Sequence, residues 1–326
     1  ISEPRPRPGF LQLAGREAPA LYGIGLVASI TGGSLLLAAL AGAGVVALSA
    51  GLLFLSLGLI GLNGASALQR SVDTPEWSWR GPGPMATFWS VLPLAIIAPT
   101  PLLLLAEPLG GFEQLDPAVA TLGIALSTNL ATTLVVALTV VGTGAASWRA
   151  IFGQHQVSSP NLPDADRRGG ALGDVAWGLA ITLPIVVAAA LFSALLIQGT
   201  GAVPESPLPP SANTGALLVN LMSAVIIAPI GEEILYRGVI TQAWGRQSGA
   251  RRAILFSAIV FAFAHTLNIG GESIADALAV AFVAFAIRLP LGLALGWLWI
   301  RRQSLFATIT LHAAYNALLV LAAFSI

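Results

Sequence analysis

The sequence predicts an all-α fold: a polytopic transmembrane helical bundle of about eight or nine spans, with an active-site core in its C-terminal half. Three observations carry this prediction. Of 326 residues, 56% are hydrophobic and only 9% are charged, against roughly 25% charged in a typical soluble domain. The mean hydropathy is +0.84. The apolar residues also fall in runs of roughly 20, the helical length that crosses a hydrocarbon core about 30 Å thick. A soluble fold would leave much of that apolar surface facing water. In lipid, helices satisfy their own backbone groups.

Nine runs qualify. The first two, Leu21–Leu40 and Val45–Leu62, read as a tight hairpin turning at Ala41, Gly42, Ala43 and Gly44. The others are Met85–Leu105, Ala118–Gly144, Val175–Ile197, Ala216–Ile240, Ile254–Leu267, Ala277–Ile300 and Leu305–Phe324. The chain starts at Ile1, and its first apolar run follows a Pro/Arg-rich stretch. That run reads as a full span rather than a signal peptide.

Alternating the nine spans from a cytoplasmic N-terminus sorts the charges cleanly. Arg5, Arg7, Arg16, Arg70, Arg80, Arg149, Arg167, Arg168, Arg246, Arg251, Arg252, Arg301 and Arg302 fall inside. Glu107, Glu113, Asp116, Glu205, Glu272 and Asp276 fall outside. This is the positive-inside pattern. The polar inner loop Trp148–Asp174 is expected over the cytoplasmic face, and the Pro-rich outer loop Ala202–Asn213 to be extended.

Composition also excludes some classes. The formal net charge is zero, which gives no footprint for a nucleic-acid partner. There is no Cys, so disulfides and thiolate metal sites are ruled out. All 15 basic residues are Arg, which with the abundant Ala and Gly fits a GC-rich bacterial genome. The expected location is therefore a bacterial inner (plasma) membrane. No internal repeat is visible, which disfavours a transporter.

Ionisable residues inside spans are costly, so each is a candidate functional group. The first half has essentially none; Asn129 and Thr132 are uncharged and expected to bond to neighbouring helices. The second half concentrates them. Glu233 and Arg237 are four apart, share a helix face and can pair. That pairing leaves the adjacent Glu232 over. Pro229 and Gly231 are expected to loosen the helix just before the acids. His265 lies in the seventh candidate span, and His312 and Asn316, again four apart, in the ninth. Counted at 1.5 Å per residue from inner ends at Thr241, Phe256 and Leu305, Glu232, His265 and His312 all reach roughly 10–14 Å depth. They could therefore form one site.

A carboxylate and two imidazoles in a dry cavity can activate water. Glu232 would be the general base. His265 would share the water or protonate a leaving amine. His312 and Asn316 would serve an oxyanion hole. Glu232, His265 and His312 could instead hold a divalent metal such as zinc; the residues alone do not choose. No His-Glu-x-x-His, Gly-x-Ser-x-Gly or intramembrane Asp pair is present, so those protease chemistries are excluded. Arg288, beside Pro290 in the eighth span, has three readings. It could bond to carbonyls freed by the proline, contact a substrate carboxylate, or pair with Glu232 or Glu233.

Glu-Glu-x-x-x-Arg, then Phe-x-x-x-His, then His-x-x-x-Asn, on successive late helices, resembles the CAAX protease and bacteriocin-processing family, which includes type II CAAX prenyl endopeptidases. The resemblance covers about Gly215–Leu319, with Gly231, Gly238, Gly292, Gly296 and Ser304 as flanking texture. It implies an intramembrane endopeptidase that opens toward the cytoplasm and cuts near a substrate C-terminus. By this resemblance Glu232 and His265 activate water, His312 and Asn316 stabilise the oxyanion, and Glu233 and Arg237 support them. Metal-dependent and metal-free glutamate mechanisms both attach to the family.

The expected organisation is a cytoplasmic segment (1–20), N-terminal membrane helices of unassigned role (21–200) and the protease core (201–326). Expected partners are membrane lipids and a peptide or protein substrate, lipidated or not. The N-terminal helices offer a docking surface for a membrane-protein partner. The competing reading is a non-enzymatic subunit or immunity-type scaffold that retains the same core.

Overall fold

The computed structural model describes residues 16–106, 111, 114–154, 159–166, 169–267, 270 and 272–324. All regular structure among them is helical. In chain order the helices are α1 (Pro19–Ala38), α2 (Gly44–Asp73), α3 (Pro84–Ile97), α4 (Thr100–Ala106), α5 (Pro117–Val141), the single turn α6 (Trp148–Ile151), α7 (Gly170–Thr200), α8 (Thr214–Ser248), α9 (Ala250–Ala264), α10 (Ile274–Arg302) and α11 (Leu305–Phe324). Arg5, Arg7, Glu107, Glu113, Arg167 and Arg168 lie outside the described residues.

Among the described residues, seven helices are long and apolar enough to cross a membrane, with Pro19–Asp73 counted as one. That 55-residue stretch is the expected hairpin. Gly42 interrupts it at φ 102°, inside a wide turn over Ala39–Ala43. A positive φ of this size is open to glycine at no steric cost. Counting both arms gives eight candidate spans among the described residues, and the protein is an integral membrane protein. The seventh candidate run, Ile254–Leu267, corresponds to helix α9, which has 15 residues and stops at Ala264, so at 1.5 Å per residue it is about 22 Å long. His265 has left helical geometry, at φ −83° and ψ 1°.

The chain divides into two compact units. One comprises Ile1–Ala98 with Ala131–Trp148, the other Pro99–Leu130 with Arg149–Ile326. In the first, α1 packs along α2 and α2 against α3. A side chain at Gly32 would strike the backbone of Leu55, and one at Gly58 the backbone of Ser29. Lipid gives no hydrophobic drive between helices, so close backbone approach through small residues supplies the packing. Buried Asn63 donates to the Ala86 carbonyl at 2.9 Å and to Ser90. Arg16 closes the end of the unit on Asp73, 2.6 Å away.

In the second unit α7 packs on α10 and α11, α9 lies along α10, and α8 touches α9, α10 and α11. Residues 159–166 strap the ends of these helices together. Asn161 donates to the Arg246 carbonyl (2.7 Å), Gln303 to the Pro163 carbonyl (2.9 Å), and the Asp166 amide to the Arg301 carbonyl (2.9 Å). Buried Arg302 pairs with buried Asp174 at 2.8 Å and with Asp166 at 3.6 Å. Segments assigned by charge to one side of the membrane thus meet at one end of this unit. Residues 202–213, the Pro-rich connection, contain no helix.

Removing one partner of a buried pair strands the other charge, at a cost of roughly 3–5 kcal/mol. Asp174→Ala is therefore expected to destabilise the protein toward the low end of that range, because Asp166 stays close to Arg302. Thermal unfolding in detergent measures the effect; an unchanged midpoint would refute the strap.

Candidate active site

Helix α8 is not uniform. It runs as α-helix to Leu221, widens over Met222–Ile227, returns to α-helix over Ala228–Glu233 and widens again over Ile234–Thr241. The reason begins at Pro229. In the wide register each N–H bonds five residues back, as Ala228 does to the Ser223 carbonyl. The next carbonyl, Ala224, would need the N–H of residue 229, and proline has none. Asn316 on α11 supplies it instead, its amide donating to the Ala224 carbonyl at 2.8 Å. Asn129 on α5 likewise donates to the Ile227 carbonyl, the interhelical bond expected of it. Two asparagines from two neighbouring helices thus hold the loosened stretch just before the acids.

Glu233 and Arg237 form the predicted pair at 3.1 Å, both fully buried. The same Glu233 oxygen accepts from His312 Nδ1 at 2.9 Å. Arg237 reaches further, donating to the Gly292 carbonyl of α10 at 3.2 Å. Its guanidinium lies 4.9 Å from the centroid of the Phe261 ring, a cation–π contact. Phe261 is the residue the sequence reading undervalued. Its ring also meets His312 edge-on at 5.8 Å, and its carbonyl takes His265 Nδ1 at 2.8 Å. The Phe-x-x-x-His spacing was the available signal, because an i,i+4 pair at a helix end lets the imidazole bond the carbonyl.

Glu232 points elsewhere. Its Oε2 is buried and has no hydrogen-bond partner among the described residues. It lies 3.9 Å from His265 Nε2 and 3.8 Å from His312 Nε2. The chemistry of the two rings follows from their other nitrogens. Nδ1 of His265 faces a carbonyl and Nδ1 of His312 faces a carboxylate. Both acceptors require a proton on Nδ1. In the neutral rings, Nε2 then carries a lone pair. A carboxylate oxygen and two imidazole nitrogens converge, each able to accept.

A molecule that donates hydrogen bonds suits that arrangement. A water about 2.8 Å from two atoms this far apart subtends nearly a right angle. The donor set, two imidazoles and a carboxylate, is one that zinc also favours. The spacing is not: zinc bonds of about 2.0–2.1 Å put tetrahedral ligands about 3.4 Å apart, closer than these. Among the described residues no group of three His, Asp or Glu is arranged to hold a metal ion.

Five of the six predicted residues therefore meet: Glu232, Glu233, Arg237, His265 and His312. Asn316 is bonded to the broken backbone rather than to the other five. Counted from the helix ends, Glu232 lies 16 residues before the end of α8 at Ser248, His265 15 after the start of α9 at Ala250, and His312 7 after Leu305. Arg288 forms no ion pair with either acid; its Nη1 donates to the Ala284 carbonyl at 3.0 Å. That carbonyl is not the one Pro290 frees, which belongs to Ala286.

Arg237→Met leaves Glu233 charged and buried, and is expected to cost about 3–5 kcal/mol. Adding Glu233→Leu should recover much of the loss, since an apolar pair needs no desolvation. Unfolding midpoints of the single and double variants in detergent measure this. Additive losses would show that the pair is not coupled.

Comparison with curated proteins and with solved structures found no match. A family model does match. Residues 214–318, about a third of the chain, fit the family described as type II CAAX prenyl endopeptidase Rce1-like. The segment begins with α8 and ends in α11, and so contains Glu232, Glu233, Arg237, His265, His312 and Asn316. In the segment that carries this site, the chain is similar to the Rce1-like family.

Proposed function

We propose that the protein is an intramembrane endopeptidase that hydrolyses a peptide bond near the C-terminus of a membrane-associated protein or peptide, using water activated by Glu232. The observation that carries this reading is that Glu232 Oε2 lies 3.9 Å from His265 Nε2 and 3.8 Å from His312 Nε2. Water donates to Glu232 and His265, and passes a proton to Glu232 as its oxygen adds to the scissile carbonyl. His312, in its protonated form, donates from Nε2 to the carbonyl oxygen as charge develops there. Glu233, 2.9 Å from Nδ1, fixes that ring and compensates its charge. The proton on Glu232 then goes to the leaving amine. Asn316 supports this set by holding the backbone that presents Glu232.

The Glu232–His265 and Glu232–His312 distances favour a metal-free form of the reaction in this reading. The family name points to a C-terminal Cys-aliphatic-aliphatic-X sequence as substrate, with a prenyl group on the Cys. The Arg-rich end of the second unit, with Arg246, Arg301 and Arg302, faces the cytoplasm of a bacterial inner membrane in this reading, and the N-terminus lies on the same side. The first unit then serves as a docking surface for lipid or a membrane partner.

Glu232→Ala is expected to abolish cleavage of such a peptide in vesicles, a loss on the order of 10²–10⁴-fold or more, while the unfolding midpoint stays near wild type. Unchanged processing by Glu232→Ala would sink the assignment. A chelator should leave the wild-type rate intact; loss of activity restored by zinc would overturn the metal-free mechanism. Stoichiometric recovery of a partner protein with no cleavage would favour the scaffold reading.

A further inference from the structure

Among the described residues, Arg288 is a charged group deep in a spanning helix that the machinery above does not use. Arg288 sits midway along α10, 14 residues from each end. It is four residues, one helical turn, ahead of Gly292, whose carbonyl takes Arg237. Residues four apart share a helix face. Arg288 therefore stands on the active-site side of α10, about 6 Å farther from the strapped end than the buried ion pair. A side chain at Gly292 would meet Ala258 and Phe261, so this face of α10 is turned to the helix that leads to His265. Arg288 is half-buried and pairs with no described carboxylate.

A guanidinium has five N–H donors in a planar fork. Among the described residues only one of its bonds is made, from Nη1 to the Ala284 carbonyl. A charge held in the middle of a spanning helix is costly unless something compensates it. Glu232 does not close an ion pair with it, and Glu233 is committed to Arg237 and His312.

We propose that Arg288 receives the terminal α-carboxylate of the substrate, binding it through the guanidinium fork. This deepens the endopeptidase reading and rests on it for the identity of the substrate. A peptide cut close to its end carries a full negative charge into the neighbourhood of Glu232. The two carboxylates repel unless a cation lies between or beyond them. Arg288 is that cation, and the fork geometry matches a carboxylate. The site then measures distance from the free end of the chain and selects a C-terminus over an internal loop.

The test uses two labelled peptides of one Cys-aliphatic-aliphatic-X sequence, one ending in a free acid and one in an amide. Binding is measured first, on the full chain in vesicles carrying Glu232→Gln to stop turnover. The acid is expected to bind about tenfold to a hundredfold more tightly than the amide, as a charged hydrogen bond allows. With Arg288→Gln added, the acid should fall to the level of the amide while the amide is unchanged. Arg288→Lys should keep part of the preference. Equal binding of acid and amide by the Glu232→Gln protein overturns the proposal, as does binding of neither. So does an equal loss for both peptides on Arg288→Gln, which is what a misfolded or merely structural variant gives. Cleavage by protein with Glu232 intact separates the two readings. Acid-selective binding without any cleavage leaves the carboxylate site standing and removes the endopeptidase. Cleavage of both peptides at equal rates does the reverse.

Discussion

The Glu233 carboxylate is the point on which the second unit turns. One of its oxygens accepts from Arg237 at 3.1 Å and from His312 at 2.9 Å, and Arg237 continues to a carbonyl of α10. Three helices are joined through a single buried anion. Lipid offers no alternative partner for any of these groups, so the helices that carry them must meet. The arrangement also decides what happens to the next residue. Neighbours on a helix project about 100° apart. With Glu233 turned into the ion pair, Glu232 must face another side, and that side holds the Nε2 atoms of His265 and His312.

A regular helix would not present two adjacent acids in this way without cost elsewhere. Helix α8 changes register on both sides of Ala228–Glu233, a behaviour that recurs at functional sites. The carbonyls this disturbs lie in the interior and need donors. Asn316 and Asn129 provide them. Two kinds of polar residue are therefore mixed in the core. Some satisfy the broken backbone, and some are left to act on what enters. The late motif joins both kinds, since His312 is of the second and Asn316 of the first.

Much of this was legible in the sequence because lipid imposes simple rules. Runs of apolar residues marked the spans, and Gly42 with Gly44 marked the hairpin turn. The Glu233–Arg237 pair followed from four-residue spacing on one helix. What could not be read were bonds between helices. His312 and Glu233 are 79 positions apart, and no periodicity links them. The end of α9 falls three residues before that of the candidate run, because hydropathy cannot report where the backbone leaves the helix. Asn316 looked like a partner of His312 because the two share a face. Its actual partner, the Ala224 carbonyl, is orphaned by a proline on another helix.

A buried ion pair is a weak source of stability, since desolvating two charges offsets most of their attraction. Its worth here lies in what it does to His312. A carboxylate can only accept a hydrogen bond, so Glu233 dictates that Nδ1 of His312 carries a proton. That leaves Nε2 as the ring's working atom and fixes its direction. The Phe261 carbonyl imposes the same choice on His265. Apolar residues of equal volume could hold the helices together, but could not select a tautomer. Two fixed acceptors, one a carboxylate and one a carbonyl, thus leave both Nε2 atoms within 4 Å of a single oxygen, Glu232 Oε2.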